Sequence, residues 1–517
     1  MAAEEIKEMI KFPEALIGAV AFDHANKIVY ADTKTAGHPL LLTWQSRNKA
    51  NGLIFHVKMT DLDQIARMRE GGMRVANDDS FDMNVRNDAI EIICKAAAYG
   101  ASDIHFMLRG EHTEIQFALK GGVRVFAMKP QQEGEALIRA IYQGVAKTRD
   151  ALFNITSFQN AQIPGSELPP TAGLTSVRIV RGPCYPQANN GAFMTLRLQY
   201  SAAHAGRDTS LPALPLPRKP DGELSLRGYT AAQVDKIRTL LAAPNGVVIF
   251  TGPTGSGKTT AMNEALTENA RVMPDRRQVT VEDPVEYPMP WAVQLAVTGT
   301  TSDADTGEAF AERIRVALRM APHVILCGEV RGPQVAISAF EAAVTGHQVW
   351  TSLHVTDPFL FVERLELMDS TRLNRRVFCD HKIVRGVVAQ RLLPKLCPDC
   401  CKRPTAGTLP ERIRAALATW GDLGNVRVKG DGCATCGGDG TLDRFAVAEV
   451  VVTDAALMRD FIEHGSETAR DNYRKKAGAD APMLDTAIGH VLAGLVAPDD
   501  VERNIDLIGP RDRRRQQ

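Results

Sequence analysis

Gly246-Val-Val-Ile-Phe-Thr-Gly-Pro-Thr-Gly-Ser-Gly-Lys-Thr-Thr260 is the stretch that decides the fold. Its first part, Gly246 to Thr251, is a short β-branched apolar run that predicts a buried strand, and Thr259 to Ala270 is predicted to be helical. Between them, Gly252-Pro-Thr-Gly-Ser-Gly-Lys258-Thr259 satisfies the pattern G-x-x-x-x-G-K-[ST]. A strand, a glycine-rich turn and a helix in this order predict a phosphate-binding loop.

The chemistry of this phosphate loop follows from its residue types. Gly255 and Gly257 let the backbone turn its N–H groups inward around a phosphate, and the following helix points its positive dipole end at the same place. Lys258 can reach the outer phosphates, and the hydroxyl of Thr259 can ligate Mg²⁺. The sequence therefore predicts a nucleotide site. The residues predicted to contact the nucleotide are Gly252, Pro253, Thr254, Gly255, Ser256, Gly257, Lys258, Thr259 and Thr260.

Strands and helices alternate in the sequence that follows this loop. Three further short apolar runs predict buried strands: Gln278 to Glu282, Val324 to Cys327 and Gln348 to Leu353. Pro333 suits the first position of a helix that extends to about Thr345. This alternation predicts an α/β domain with a mostly parallel sheet whose functional edge lies at the carboxyl ends of the strands.

Charged and titratable side chains follow these strands and are the candidates for chemistry. Glu329 follows an apolar strand in Leu326-Cys-Gly-Glu329, as a Walker-B carboxylate would. Because no Asp ends that strand, Glu329 alone is expected to act on Mg²⁺ or on the attacking water. Three carboxylates follow another strand, of which Glu286 is the second candidate base, and His347 and His354 bracket a third strand. We expect these groups to meet at the edge that carries the phosphate loop.

The chain divides at a proline-rich stretch. Residues 211–222 contain Leu-Pro-Ala-Leu-Pro-Leu-Pro-Arg-Lys-Pro-Asp-Gly, which excludes a helix and predicts an extended linker. A softer boundary is expected near residues 77–87, before a predicted helix at Ala89 to Tyr99. At about 150 residues per domain the length suggests about three domains. The predicted organisation is a region at 1–80, an α+β domain at 85–210, the linker, an ATPase-type domain at 223–505 with a cysteine subdomain at 397–440, and a basic tail at 506–517.

The amino-acid composition argues against several classes of protein. The 517 residues hold 61 Lys plus Arg and 61 Asp plus Glu, and this neutral balance argues against a nucleic acid as the main partner. An apolar content of 44% is ordinary for globular proteins. No apolar run reaches the roughly 18 residues of a membrane-spanning helix, and the acidic start does not resemble a secretory signal. We therefore expect the protein to stay in the compartment where it is made.

Two C-x-x-C pairs account for four of the nine cysteines. Cys397, Cys400, Cys433 and Cys436 can supply four thiolates to a closed tetrahedral Zn²⁺ site, which predicts a structural rather than a catalytic metal. The alternatives are unmetallated thiols or a redox pair. Cys401 is the expected bystander, or a substitute for Cys400. The other four cysteines are expected to be packing or surface residues.

Several ordered motifs together resemble those of the secretion ATPases of type II secretion and type IV pilus assembly. The resemblance runs from about Ala89 to Val501 and includes the phosphate loop. It also includes an aspartate box, an atypical Walker B, a histidine box and the run into the cysteines. In this sequence they read Val281-Glu-Asp-Pro-Val-Glu286, Val324-Ile-Leu-Cys-Gly-Glu329-Val-Arg331, Thr345-Gly-His347-Gln-Val-Trp-Thr-Ser-Leu-His354 and Gly386-Val-Val-Ala-Gln-Arg-Leu-Leu-Pro-Lys-Leu-Cys397. The preceding domain contributes Gly100-Ala-Ser-Asp-Ile-His105.

The resemblance implies a RecA-like motor with further site residues. His347 and His354 match positions that sense the γ-phosphate, and arginines matching those that the family brings to the nucleotide are Arg178, Arg197, Arg315 and Arg319. It also implies a cytoplasmic, Mg²⁺-dependent ATPase ring, expected to be a hexamer, at the inner face of an inner-membrane platform, with residues 1–80 docking there. His323, where the family usually has an acidic residue, and Gly332, where an Asp often follows, are departures that suggest a divergent branch, such as a type IVb or plasmid-encoded pilus system.

Other functions compete with assembly or secretion. Retraction motors of pili and conjugation-type traffic ATPases are relatives that lack the cysteine subdomain, so the two C-x-x-C pairs favour assembly or secretion. A DNA translocase on the same core is opposed by the neutral charge. A nucleotide-binding scaffold without hydrolysis is opposed by the presence of Lys258, Thr259 and Glu329.

Overall fold

The structure is a computed structural model that describes residues 12–23, 27–50, 54–62, 64–65, 68, 79–150, 152–202, 206–298 and 302–511. The predicted region at 1–80 and the tail at 506–517 lie in part outside these residues. Of the helices in the described ranges, none is long and apolar enough to span a membrane.

The first described part is a small α/β unit. Three strands, β1 (Val20–Asp23), β2 (Ile28–Ala31) and β3 (His56–Met59), form a sheet in that order. Two helices, α1 (Thr33–Ala36) and α2 (Pro39–Ala50), connect β2 to β3. The core is aromatic and consists of edge-on and tilted contacts between Phe12, Phe22, Trp44 and Phe55.

The second part is an antiparallel sheet with helices. Helix α3 (Asp79–Ala98) begins ten residues before the predicted Ala89, so it covers most of the stretch where a boundary was expected. The seven strands pair antiparallel in the order β6-β5-β4-β10-β9-β8-β7. They are β4 (Asp103–Leu108), β5 (His112–Leu119), β6 (Gly122–Pro130), β7 (Thr148–Arg149), β8 (Gln159–Pro164), β9 (Leu174–Pro183) and β10 (Ala192–Tyr200). Helix α4 (Gln131–Arg139) and a π turn at Ala140–Val145 pack with α3 on this sheet.

The third part confirms the predicted mostly parallel sheet. The strand order is β13-β12-β14-β15-β11-β16-β17, and only the β16–β17 pair is antiparallel. The strands are β11 (Gly246–Thr251), β12 (Gln278–Glu282), β13 (Val293–Ala296), β14 (Val324–Cys327), β15 (Gln348–Leu353), β16 (Val384–Leu396) and β17 (Thr441–Val452). The four strands predicted from sequence, β11, β12, β14 and β15, have the predicted bounds.

Helices cover both faces of this sheet. On β11, Val247 and Ile249 join one core, whereas Val248 and Phe250 join the other. Because side chains alternate across a strand, an uninterrupted apolar run is what a sheet buried on both faces requires. The helices are α5 (Ala231–Ala242), α6 (Lys258–Val272), α7 (Asp303–Leu318), α8 (Pro333–Val344), α9 (Phe361–Met368), α10 (Arg375–Phe378), α11 (Glu411–Ala418), α12 (Ala455–Glu463), α13 (Gly465–Arg474), α14 (Met483–Leu492) and α15 (Pro498–Asn504).

The antiparallel sheet rests on the edge of the parallel sheet near β12 and β13. Val123 donates its N–H to the carbonyl of Asp275 at 2.9 Å, and Tyr185 donates to Gln294 at 2.9 Å. His323 joins this interface, because its Nδ1 accepts from the N–H of Arg277 at 2.9 Å while its Nε2 lies 2.8 Å from the carbonyl of Gly121. The departure at position 323 therefore serves as a contact between the two sheets.

Candidate nucleotide-binding site

The phosphate loop lies between β11 and α6 and depends on glycine conformations. Gly252, Gly255 and Gly257 have φ values of 149°, 76° and 82°, which other residues rarely adopt. A Cβ atom on Gly252 would lie 2.5 Å from the Oγ of Ser256. These glycines therefore allow a tight backbone turn at the N-terminus of α6, and a side chain would force the turn to widen.

Lys258, the first residue of α6, is folded back onto this loop. Its Nζ donates to the carbonyls of Gly252 and Pro253, both at 2.9 Å, and the residue is 7% exposed. Burial lowers the pKa of Lys258, the negative charge of Glu329 opposes this, and the charge of Arg391 adds to it. A phosphate in the turn would offer this ammonium group stronger acceptors than two neutral carbonyls.

A cavity of about 670 Å³ opens directly above the loop, at the carboxyl edge of the parallel strands. Its residues come from the loop, from the ends of β12, β14 and β15, from α7 and from the β16–β17 hairpin. They are Thr254, Gly255, Ser256, Gly257, Lys258, Thr259, Thr260, Glu282, Asp283, Pro284, Glu286, Phe310, Gly328, Glu329, Arg331, Ser352, His354, Leu392 and Arg444.

Glu329 is held from both sides in this cavity. Its Oε1 lies 2.9 Å from Nε2 of His354, and its Oε2 lies 3.0 Å from Nε of Arg331. Arg331 also reaches Asp283, with 3.7 Å between Nη1 and Oδ2. Both carboxylate oxygens therefore point at cationic or hydrogen-bonding partners, and the carboxylate is oriented before any ligand enters.

The other carboxylates supply oxygen ligands around the same space. Glu282, the last residue of β12, is 4% exposed and accepts hydrogen bonds from Thr280 and, at 3.1 Å, from Gln294. Burial raises the pKa of Glu282. Glu286 also lines the cavity. Hydroxyl and carboxylate oxygens are the ligands that Mg²⁺ prefers, so this donor set fits that ion.

The structure places the predicted residues in two groups. Those that line the cavity are Thr254 to Thr260, Glu286, Glu329 and His354, with Gly252 and Pro253 forming the start of the loop beneath. His347 does not line it. It precedes the first residue of β15, where its Nδ1 lies 3.0 Å from the carbonyl of Ala342, whereas His354 follows the last residue of that strand. Six strand residues separate the two histidines by about 20 Å.

The four predicted arginines also lie outside the cavity of their own chain. Arg178 on β9 and Arg197 on β10 are exposed and directly opposite each other in the sheet register, so they form one basic pair. Arg197 also reaches Asp103, with 2.9 Å between Nε and Oδ1. On the parallel-sheet part, Arg315 and Arg319 are exposed at the end of α7, and Arg319 donates to Asn160 at 3.0 Å.

Several residues that line the cavity are not among the predicted site residues. Glu282 and Asp283 lie inside the aspartate box and Arg331 inside the Walker-B motif, so position after a strand is a usable signal for them. Leu392 and Arg444 come from the β16–β17 hairpin and are 52 residues apart in the sequence. Leu392 lies inside the run into the cysteines, which gives no sign of a site role for it, and Arg444 lies in none of the motifs. Only the pairing of the hairpin brings them beside the loop.

The four predicted cysteines meet at the end of the same hairpin. The Sγ atoms of Cys397, Cys400, Cys433 and Cys436 all lie within 4.8 Å of one another. Sγ–Sγ distances are 3.6 Å for Cys397–Cys433, 3.9 Å for Cys400–Cys436 and 3.8 Å for Cys433–Cys436. Tetrahedral Zn–S bonds of about 2.3 Å imply sulfur separations of about 3.8 Å, so the cluster fits Zn²⁺.

Backbone donors also prepare this cluster for a metal. Cys436 Sγ accepts from the N–H groups of Cys433 at 3.2 Å and Gly440 at 3.1 Å, and hydrogen bonding by the backbone at Cys433 lowers the pKa of Cys436 to about 6. The fifth cysteine of the region, Cys401, points instead at the carbonyl of Pro398. It is outside the cluster, as expected of a bystander.

A phosphate loop, an oriented glutamate and oxygen ligands at the carboxyl edge of a parallel sheet define a P-loop nucleotide-binding class of site. The family model described as "Type II/IV secretion system protein" matches residues 210–503. The chain belongs to this family.

Three curated relatives show how far the similarity extends. The chain is 29% identical over 280 residues to the "Type IV pilus assembly ATPase PilB" of Thermus thermophilus, covering 54% of this chain and 30% of that protein. It is 35% identical over 248 residues to the "Type II secretion system protein E" of Aeromonas hydrophila, covering 48% and 46%. With the "Putative type II secretion system protein E" of Escherichia coli it shares 28% identity, covering 80% and 75%. The chain thus spans less than half the length of the first two relatives.

Proposed function

We propose that this protein is an ATP-hydrolysing motor of a type IV pilus assembly or type II secretion system. The observation that carries the proposal is the phosphate loop with Lys258 and Thr259 facing an oriented Glu329 across one cavity. The core is proposed to be RecA-like. The names of the relatives, which are secretion proteins E and a pilus assembly ATPase, support the choice of process.

The residues of the cavity divide the work of hydrolysis. Lys258 leaves the carbonyls of Gly252 and Pro253 and binds the outer phosphates, while the loop N–H groups hold the inner ones. Thr259 and the nearby carboxylates would hold Mg²⁺, which supplies neutralisation of phosphate charge. Glu329, kept in place by His354 and Arg331, accepts the proton of the attacking water. Glu286 is the second candidate for that task.

The arginines outside the cavity support a ring. Arg178 and Arg197 form an exposed basic pair that does not reach the phosphate loop of the same chain, so their expected role requires another copy or a movement of the domains. Charge on the γ-phosphate would attract this pair and couple nucleotide binding to rotation. We propose a hexamer in which nucleotide lies between chains. His347, remote from the cavity of its own chain, would then have to act across the same ring or not at all.

The setting of the motor is proposed from the family. The ring would work at the cytoplasmic face of an inner-membrane platform protein, with residues 1–80 as the docking region, and would move pilin or pseudopilin subunits. The cysteine cluster supports assembly or secretion over retraction or conjugation-type traffic, and the neutral charge gives no support to a DNA partner.

The direct test is phosphate release by the purified full-length chain. We expect release from ATP that requires Mg²⁺, stops when the metal is chelated, and does not change when DNA is added, because no polyanion site is proposed. Release that is absent under all metal conditions would refute the ATPase. Hydrolysis that depends on DNA and falls steeply with salt would instead establish the translocase.

Zinc is expected to stabilise the cysteine subdomain. The full chain should contain about one zinc ion, and Cys433→Ser with Cys436→Ser should remove it, because two ligands cannot hold a structural site. Metal content by atomic absorption, together with thermal unfolding, measures the effect. Cys401→Ser is the matched control and should retain the metal, since its sulfur lies outside the cluster. Full occupancy in the double variant would exclude this site.

A further inference from the structure

A glutamine that is not among the predicted site residues holds the phosphate loop. The Nε2 of Gln390, on β16, donates to the carbonyl of Ser256 in the middle of the loop at 2.7 Å. Gln390 is 3% exposed, so water does not replace this contact. Its Oε1 accepts a hydrogen bond from the hydroxyl of Tyr229 at 2.6 Å. The three residues form a directed chain of hydrogen bonds from Tyr229 to the loop.

The hydroxyl of Tyr229 decides which end of the Gln390 amide faces the loop. A carboxamide has one donor and one acceptor end, and the carbonyl of Ser256 accepts only from the donor end. With Tyr229 donating to Oε1, the Nε2 group must point at Ser256. Burial strongly raises the pKa of Tyr229, so the phenol stays protonated and keeps donating. Without this hydroxyl the two orientations of the amide would become closer in energy.

The loop also packs directly on Gln390. A Cβ atom on Gly257 would lie 2.7 Å from its Nε2, and one on Gly252 would lie 2.6 Å from its backbone oxygen. Both glycines are therefore needed for close approach as well as for their φ values. Because no space separates the two segments, a shift of Gln390 moves the peptide groups that surround the phosphate position.

Tyr229 ends the interdomain segment, residues 211–229, which joins the two sheets. Just before it, Gly228 has a φ of 94°, and its Cβ would lie 2.1 Å from the oxygen of Ala446 on β17. At the other end of the segment, Pro215 accepts a hydrogen bond from Val125 of β6 at 2.9 Å, and Leu211 and Leu214 pack on the core of the antiparallel part. The segment is thus attached to both parts, and Tyr229 is where it meets the phosphate loop through Gln390.

We propose that Tyr229 and Gln390 are positioning residues that set the phosphate loop in its nucleotide-binding geometry and connect it to the interdomain segment. The inference rests on the proposed function, because it concerns the same nucleotide site. The loop surrounds phosphates that ATP and ADP share, so the pair stabilises both complexes alike. Its loss weakens ground-state and transition-state binding equally.

Kinetics of Tyr229→Phe in the full-length chain test the proposal. We expect KM for ATP and the inhibition constant of ADP to rise by the same factor, about three- to ten-fold for one buried hydrogen bond, with kcat unchanged. Tyr473→Phe is the matched control. That tyrosine is buried, its hydroxyl bonds the backbone of Val452 and not the loop, and the loss of this hydroxyl should leave both constants unchanged.

A second variant tests whether Tyr229 and Gln390 act together. Gln390→Leu should weaken ATP and ADP binding at least as much, and adding Tyr229→Phe to it should cost nothing more, because the two residues act as one unit. A Tyr229→Phe variant that matches wild type, or one that loses kcat with unchanged KM as a merely destabilised protein would, overturns the proposal.

Equilibrium binding of ADP to the same variants separates this result from the proposed function. If wild type binds nucleotide without releasing phosphate, the ATPase proposal fails, and the affinity ratio of Tyr229→Phe to wild type still decides the role of the pair.

Discussion

Replacing Lys258 with Ala is expected to lower the rate of phosphate release by on the order of 10²- to 10³-fold, the effect of losing one charge-stabilising donor. The variant removes the ammonium group that lies against Gly252 and Pro253 and is aimed at the phosphate position. No other lysine lines the cavity among the described residues, so no cation of the same kind replaces it. Steady-state phosphate release at saturating Mg²⁺ and ATP measures the loss.

Lys236→Ala is the matched control for this variant. Lys236 belongs to the same parallel-sheet part and pairs with Asp480, away from the cavity. Its loss should leave the rate within about two-fold of wild type, since surface and half-buried ion pairs contribute little to chemistry elsewhere. Equal rates of phosphate release in wild type and Lys258→Ala would contradict the assignment of ATPase activity to this site.

The inactive lysine variant also tests the ring. A second variant, with Arg178→Ala and Arg197→Ala, keeps its phosphate loop but loses the exposed basic pair. If the pair contacts the nucleotide of the neighbouring chain, each variant alone is inactive. When the two variants are mixed at equal amounts before assembly, about a quarter of the interfaces in a cyclic ring combine an intact phosphate loop with an intact arginine pair, and these interfaces regain activity. If the mixture is inactive, the arginines either contact the nucleotide of their own chain or have no role in catalysis.

The parallel sheet could be predicted because its signals are local. The run Gly246 to Thr251 is apolar without interruption since the sheet is buried on both faces, and glycines with positive φ mark the loop that follows. Once the strands are parallel, the positions of Glu329 and His354 after their carboxyl ends bring both to one edge. The two C-x-x-C pairs are equally local, because each pair is a single tight turn.

Contacts between distant segments could not be predicted in the same way. The histidine motif predicts that His347 and His354 lie at the same edge, yet β15 begins after His347 and ends before His354, so the two histidines lie at opposite edges of the sheet. Gln390 and Tyr229 are 161 positions apart, and a glutamine in an apolar run gives no sign of its partner. The interface of His323 with Gly121 joins residues 202 positions apart. Such pairs depend on how the two sheets meet, which local pattern does not encode.

Glu329→Gln is expected to separate binding from hydrolysis. The amide keeps the size of the side chain but cannot accept a proton from water, so kcat should fall by on the order of 10²- to 10⁴-fold. Affinity for ATP should stay near that of wild type, because Lys258 and the loop are unchanged. Single-turnover phosphate release and equilibrium binding of ATP to the same preparation measure the two quantities.

Glu286→Gln decides between the two candidate catalytic bases, Glu286 and Glu329. Glu329 has both oxygens engaged, by His354 at 2.9 Å and by Arg331 at 3.0 Å, and an oriented carboxylate is the better base for a water held at one place. We therefore expect the loss of kcat in Glu286→Gln to be at least ten-fold smaller than in Glu329→Gln, about 1.4 kcal/mol in activation free energy. The reverse order would assign the proton to Glu286 and leave Glu329 as a ligand of the metal, because a ligand can be replaced by an amide oxygen at lower cost than a base can.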